Sequence, residues 1–302
     1  MKTTWPDPPP LFAVTDRGER TSWVPRGSVP SARRARVRDD SLSPALFDRR
    51  FLDDAQERDM AFDDIVAGYI PAADSLLTRI AVFDLETTGV STRDDRVVTA
   101  YLGVLDESGS VIEERRWLAN PGIEIPAGAT AVHGVTTERA RAEGRDAREV
   151  VGEIVADLRA LLAAGIPVVA YNAAYDLSLL RHEAIRHGLD PIEDPSPVVD
   201  PLVIDKKVDT YRRGKRTLDI VAAHYGVALL DAHNAAADAI AAGRIALALV
   251  ARFARDLPAT LPELHDAQVT WAAEQAADLT RYFVKVGKFS PDEKIDGSWP
   301  IK

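Results

Sequence analysis

The order of apolar segments in this chain predicts an α/β fold built on a mixed five-stranded sheet, with three antiparallel strands, then parallel ones, and helices on both faces. Three observations predict it. Ile80-Ala81-Val82-Phe83-Asp84-Leu85 is an apolar run of strand length. Two further strand-length stretches follow it across short loops. Beyond them, helical periodicity alternates with short Val-rich segments.

The first strand ends at Thr87-Thr88-Gly89. Arg96 to Leu105 and Val111 to Leu118 form the next two strands, joined around Ser108-Gly109. Loops this short imply an antiparallel meander. Ala147 to Ala163 is helical, with Val150, Val151, Ile154, Leu158, Leu161 and Leu162 on one side. Val168-Val169-Ala170-Tyr171 is a short strand, Leu177 to His187 a helix stopped by Gly188, and Val198-Val199 another short strand. Helices over Leu218 to His224 and Ala235 to Phe253 follow, then a helical region from Leu261 to Val286 and a polar tail ending in Trp299-Pro300-Ile301-Lys302.

These elements place the main domain at residues 78–256, with a helical segment and tail at 257–302. Residues 1–45 hold Pro8-Pro9-Pro10 and Arg33-Arg34-Ala35-Arg36 among Ser and Asp, a composition expected to be disordered. Residues 46–77 mix Phe47, Phe51, Leu52, Phe62 and Ile65 with many acids, which suits a helical extension. The 302 residues include no cysteine, which excludes disulfides, thiolate zinc sites and cysteine nucleophiles and fits a cytoplasmic location. No run of about eighteen apolar residues is present and the N-terminus lacks a secretory apolar stretch, so no membrane association is expected. A net charge of −10 excludes a general nucleic-acid coat, which would be basic.

The chemistry gathers in three places. Asp84 and Glu86 lie two apart at the end of the first strand, so both carboxylates point to one face. Like charges so placed repel. A divalent cation between them resolves the conflict, unless the strand has already ended and both are loop acids. Asp176 follows the fourth strand, where an acid can be a helix N-cap, but it also sits at a carboxyl strand end, where open sheets bind ligands. His233 and Asp238 are five apart. On a helix they would diverge by about 140°. They converge only if His233 lies on the loop before the helix and Asp238 in its second turn. The run Ala235-Ala236-Ala237 with Ala239, Ala241 and Ala242 suits close packing on the sheet. Four carboxylates in one place suit hard cations, Mg²⁺ or Mn²⁺ rather than zinc. Two such ions about 3.5–4 Å apart form the clamp used for in-line phosphoryl displacement. A histidine beside it suits a general base.

The motifs resemble those of the DnaQ-like (DEDDh) 3′–5′ exonuclease family, within the ribonuclease H-like fold, over about residues 79–255. Phe83-Asp84-Leu85-Glu86-Thr87-Thr88-Gly89 resembles the first motif, Asn172-Ala173-Ala174-Tyr175-Asp176 the second and His233-Asn234-Ala235-Ala236-Ala237-Asp238 the third. Val132-His133-Gly134-Val135-Thr136 resembles a further segment near the substrate. The resemblance implies Asp84, Glu86, Asp176 and Asp238 as ligands of two Mg²⁺ or Mn²⁺ ions and His233 as the base. It implies Thr87, Thr88, His133 and Asn172 at the terminal nucleotide, with release of nucleoside 5′-monophosphates from a 3′ end. Tyr171 departs from the histidine that many members carry before the Asn. The stretch from Trp271 to Pro300 resembles actinobacterial members. DNA is the expected substrate. The rivals are an RNA exonuclease of the same family, a proofreading subunit docked on a DNA polymerase or other repair protein through residues 257–302, and a non-catalytic binding module.

Two other stretches need an explanation. Arg181-His182-Glu183-Ala184-Ile185-Arg186-His187 superficially suggests a zinc-protease helix, but its histidines are five apart rather than four. Arg212-Arg213-Gly214-Lys215-Arg216 is either a solvated loop or a phosphate grip.

Overall fold

The structure is a computed structural model and describes residues 76–229 and 234–302. The expectations for residues 1–45, nearly all of those for 46–77, and His233 lie outside the described residues. The described strands are β1 (Arg79–Thr87), β2 (Val97–Asp106), β3 (Val111–Asn120), β4 (Arg145–Asp146), β5 (Val168–Val169) and β6 (Val198–Val199). They form one six-stranded sheet in the order β4-β3-β2-β1-β5-β6. β1, β2 and β3 pair antiparallel, while β5 runs parallel to β1 and β6 parallel to β5, as the segment order predicts.

The expected count of five strands is corrected to six. The extra strand is β4, which pairs parallel with β3 through Ala119–Arg145 and Asn120–Asp146. Two polar residues carry no alternating pattern, so nothing in the local sequence marks them as a strand.

The helices are α1 (Ala127–His133), α2 (Thr137–Glu143), α3 (Ala147–Ala163), α4 (Ala173–Arg186), α5 (Pro201–Val208), α6 (Leu218–Tyr225), α7 (Ala235–Phe253) and α8 (Leu261–Lys285). Three were not anticipated. α1 buries no residue and α2 buries only Thr137 and Ala140, so neither shows an apolar stripe. α5 did carry a signal: Asp200 caps it by accepting the Leu202 N–H at 2.9 Å, and Pro201 opens it. α4 begins at Ala173, four residues before the expected Leu177. No helix among the described residues is long and apolar enough to cross a membrane.

Alternation along β1 divides the core. Ala81, Phe83 and Leu85 face a layer that includes Ile154, Leu158 and Leu161 of α3 and Leu177 and Leu180 of α4. Ile80 and Val82 face Ala239, Ala242, Ile245, Ala246 and Leu249 of α7. Each fully buried Val, Leu, Ile or Phe contributes about 1.5–3 kcal/mol, so the two layers hold β1 firmly in register. α7 lies very close to the sheet. A Cβ at Gly243 would overlap Val82 and come within 2.8 Å of Leu105 Cδ1. The small side chains of α7 allow this approach, and it brings the start of α7 to the carboxyl end of β1.

Residues 257–302 fold back onto the domain. α8 opens with a capping box between Thr260 and Glu263. His265 and Gln268 of α8 are buried beside β6, and Trp299 is buried against the layer that contains α4.

Candidate metal centre

The even-numbered side of β1 leads out of the α7 layer into two acids, Asp84 and Glu86, opposite Tyr101 and Thr99 of β2. Asp238 lies in the first turn of α7, not the second, one helical turn before the buried Ala242. It therefore points to the sheet. Oxygen atoms of Asp84, Glu86 and Asp238 all lie within 4.8 Å of one another. This is the one such metal-competent group of three among the described residues.

Asp176 arrives from the other layer. It is not an N-cap, because Asn172 holds that position and α4 has already begun. It is 3% exposed, and its Oδ1 accepts the Leu85 N–H at 3.1 Å. The acid is thereby tied to the residue between Asp84 and Glu86. It lies outside the group of three but is the largest charged influence on Asp84.

The crowding disfavours ionisation. Burial pushes the Asp84 carboxyl well above its usual range, helped by Asp176, Glu86 and Asp238. Burial and then Asp238 push Glu86 up to about 8. Burial pushes Asp176 up to about 8 as well, against the N–H groups that favour its charged form. The fit to a hard divalent cation is good: the donors are all carboxylate oxygens, and a positive ion would supply the charge the cluster lacks.

A stability test follows from these shifts. The unfolded chain releases the protons of Glu86 and Asp176 near 4.5 and 3.8, whereas the folded chain holds both to about 8. Without metal, stability is therefore fully present below pH about 4 and is lost as pH rises towards about 8. A divalent ion bound by the ionised carboxylates counteracts that loss, so Mg²⁺ raises the melting temperature more at pH 8 than at pH 5. Thermal unfolding in EDTA and in Mg²⁺ at both pH values checks this, and an equal increment at both would contradict it.

Thr87 ends β1 and Thr88 follows it, His133 ends α1 and Asn172 holds the N-cap position of α4. Thr87 Oγ1 lies 2.6 Å from Gly89 O and 2.7 Å from the Tyr175 hydroxyl. Thr88 Oγ1 donates to Asp95 at 2.8 Å and accepts the Arg96 N–H at 3.0 Å, so its hydroxyl holds the loop after β1. His133 Nδ1 accepts the Val135 N–H at 3.2 Å, and burial lowers the histidine pKa against an opposing influence of the Thr87 backbone beside it. Asn172 is the only non-glycine described residue with positive φ (66°), and its side chain makes no capping bond. The Tyr171 hydroxyl donates to Arg216 O at 2.7 Å.

The basic loop is largely internal. Arg212 and Arg216 each reach the buried Asp205 at 2.6 Å, and the Tyr225 hydroxyl donates to the same carboxylate at 2.8 Å. Arg213 and Lys215 stay on the surface beside Tyr211, which is 96% exposed. In the Arg181–His187 stretch, Glu183 is buried and accepts the Val97 N–H at 3.1 Å, which fixes the start of β2 rather than a metal. Asp200 was missed. Its Oδ1 accepts the Asn172 N–H and its Oδ2 the Ala173 N–H, both at 3.0 Å, and the Asp200-Pro201 pair after a Val-Val strand was the available signal.

A mixed sheet with helices on both faces and a carboxylate cluster at the carboxyl end of its first strand defines a ribonuclease H-like protein able to hold metal. The solved structure of E. coli Exonuclease I in complex with a dT13 oligonucleotide shares the fold, with a TM-score of 0.51 at 21% identity, covering 59% of this chain and 42% of that one. The chain belongs to the RNase_T exonuclease family, which it matches over residues 81–246. Curated relatives include the PolC-type DNA polymerase III of Lacticaseibacillus paracasei, 29% identical over 65% of this chain and 13% of that protein. Another is the DNA polymerase III subunit epsilon-like protein of Rhodobacter capsulatus, 29% identical over 56% of this chain and 23% of that protein. The chain thus spans less than a quarter of the length of these relatives.

Proposed function

We propose that the protein is a metal-dependent 3′–5′ exonuclease that trims single-stranded or frayed DNA ends to nucleoside 5′-monophosphates. The convergence of Asp84, Glu86 and Asp238 within 4.8 Å, in a chain of an exonuclease family, carries this reading. These three residues, with Asp176, would hold Mg²⁺ or Mn²⁺. Two such ions, when bound, polarise the scissile phosphate and ease deprotonation of water. His233 takes the proton of the attacking water. The bond from phosphorus to the 3′ oxygen breaks, and that oxygen leaves with a proton from solvent. Asn172 and His133 orient the terminal nucleotide. Thr87 and Thr88 shape its floor, since their hydroxyls already bond within the protein. The acidic chain suits a grip on a few nucleotides at an end, with cations recruited there.

The names of the relatives favour DNA over RNA and make a DNA polymerase III the partner to seek by co-purification. The complete carboxylate set argues against a binding module, which needs no such cluster.

Labelled single-stranded DNA, duplex DNA and RNA, incubated with Mg²⁺, Mn²⁺ or EDTA, test the reading. Metal-dependent 3′ trimming is expected, fastest on single-stranded DNA, with Asp84→Ala inactive. No trimming with metal, or equal trimming by the variant, refutes it, and preference for RNA would transfer the reading to the RNA enzyme. Arg213→Ala with Lys215→Ala should weaken DNA binding and flatten its salt dependence while leaving kcat near normal, because phosphate contacts carry that dependence. An unchanged salt slope with altered turnover would exclude the contact.

A further inference from the structure

A chain of buried polar groups leads from α8 to the start of α4. Gln268 accepts the Asp200 N–H at 2.7 Å and donates Nε2–H to Val198 O at 3.0 Å. His265 accepts the Val198 N–H at 3.1 Å, and its ring lies 5.1 Å from that of Trp299. Trp299 donates its indole N–H to Asp200 Oδ2 at 3.3 Å. Asp200 is 1% exposed and takes three more donors, the Asn172, Ala173 and Leu202 N–H groups. Two of these donors, the N-cap Asn172 and the first helical residue Ala173, stand at the start of α4, where a helix has no partners of its own. The tail then continues to α4 itself, where the Lys302 N–H reaches Ser178 Oγ at 2.8 Å.

We propose that Trp299 and Asp200 are positioning residues for the metal centre. Trp299 seats the Asp200 carboxylate, and that carboxylate sets the first turn of α4, which carries both Asn172 and Asp176. The inference rests on the reading of Asp176 as part of the metal-binding set. A buried carboxylate that collects four donors is directional, because each donor fixes one lone-pair direction. Asn172 is held in the left-handed region, which asparagine tolerates better than most residues, and the bond of its N–H to Asp200 fixes it there. Asp176 lies one turn along the same helix, and its 3.1 Å bond to Leu85 N–H leaves little room for a shift. The closing residues of the chain thus belong to the working centre through this link.

The test uses the full chain with Trp299→Phe, which keeps a ring against His265 and removes the indole N–H, and Asp200→Asn, which turns an acceptor into a donor facing donors. Mn²⁺ binding without nucleic acid is measured by calorimetry, backbone hydrogen exchange by mass spectrometry, and melting temperature alongside. Exchange in residues 172–176 should rise in both variants. Mn²⁺ binding should weaken about tenfold in Asp200→Asn, the scale of outer-shell substitutions at metal sites, and less in Trp299→Phe. The metal concentration for half-maximal trimming should rise in the same order, with kcat falling more than KM rises. A lower melting temperature with unchanged Mn²⁺ affinity would make Trp299 a packing residue and overturn the proposal, as would unchanged exchange at 172–176. If Asp200→Asn does not fold, Trp299→Phe decides alone. A wild-type chain that neither binds Mn²⁺ nor trims DNA would sink the metal reading and this proposal together, and that failure appears in the wild type rather than in the variants.

Discussion

Asp84→Asn lowers 3′-end trimming at least about a thousandfold, because metal-ion stabilisation of a phosphoryl transition state is worth several kcal/mol. The same substitution raises the melting temperature of the metal-free protein at pH 8. The two effects share one cause. Asp84 sits half-buried among Asp176, Glu86 and Asp238, all of which resist its ionisation. An amide of the same shape removes the group whose ionisation that crowd resists, and loses a hard ligand. Each 1 kcal/mol gained is about 2–4 °C in a domain of this size. With saturating Mg²⁺ the advantage shrinks or reverses, since the wild type then gains binding energy that the variant lacks. Trimming assays with thermal unfolding in EDTA and in Mg²⁺ read both effects. A variant that is inactive and also less stable in EDTA would show that Asp84 supports the fold rather than straining it.

His233→Ala lowers the rate by about 10²–10⁴, the usual worth of a positioned general base. The base must be unprotonated to act. The wild-type rate should therefore climb with pH as the imidazole loses its proton, and the variant should lose that climb. Mn²⁺ affinity should stay near the wild-type value, which separates a base from a ligand. A retained pH limb would assign the proton to another group, and a collapse of Mn²⁺ affinity would make His233 a ligand.

The parts of the fold that bury a periodic apolar face were legible in the sequence. β1 announced itself by Ile80 to Leu85, α3 by its stripe, and α7 by its small residues. The period of a strand placed Asp84 and Glu86 on one face, and the structure has them there, within reach of Asp238. The illegible parts lack such a face. β4 is a pair of polar residues whose only reason to be extended is the neighbouring β3. α1 turns no side chain inward. Asp176 looked like a cap because the start of α4 is marked only by Ala173 and Ala174, which favour helix but carry no periodic signal, and because Asn172 bends the chain without using its side chain. The basic loop misled in another way. Charge type alone does not tell a solvent-facing arginine from Arg212 and Arg216, whose partner Asp205 is recognisable only once the chain has folded.

The carboxylates come from β1, from α4 and from the beginning of α7, with Trp299 following later still. Along the chain Asp84 and Glu86 come first and Asp176 next, and the group of three is complete only with Asp238 of α7. A chain that stops short of α7 therefore lacks Asp238 and with it the group of three carboxylates.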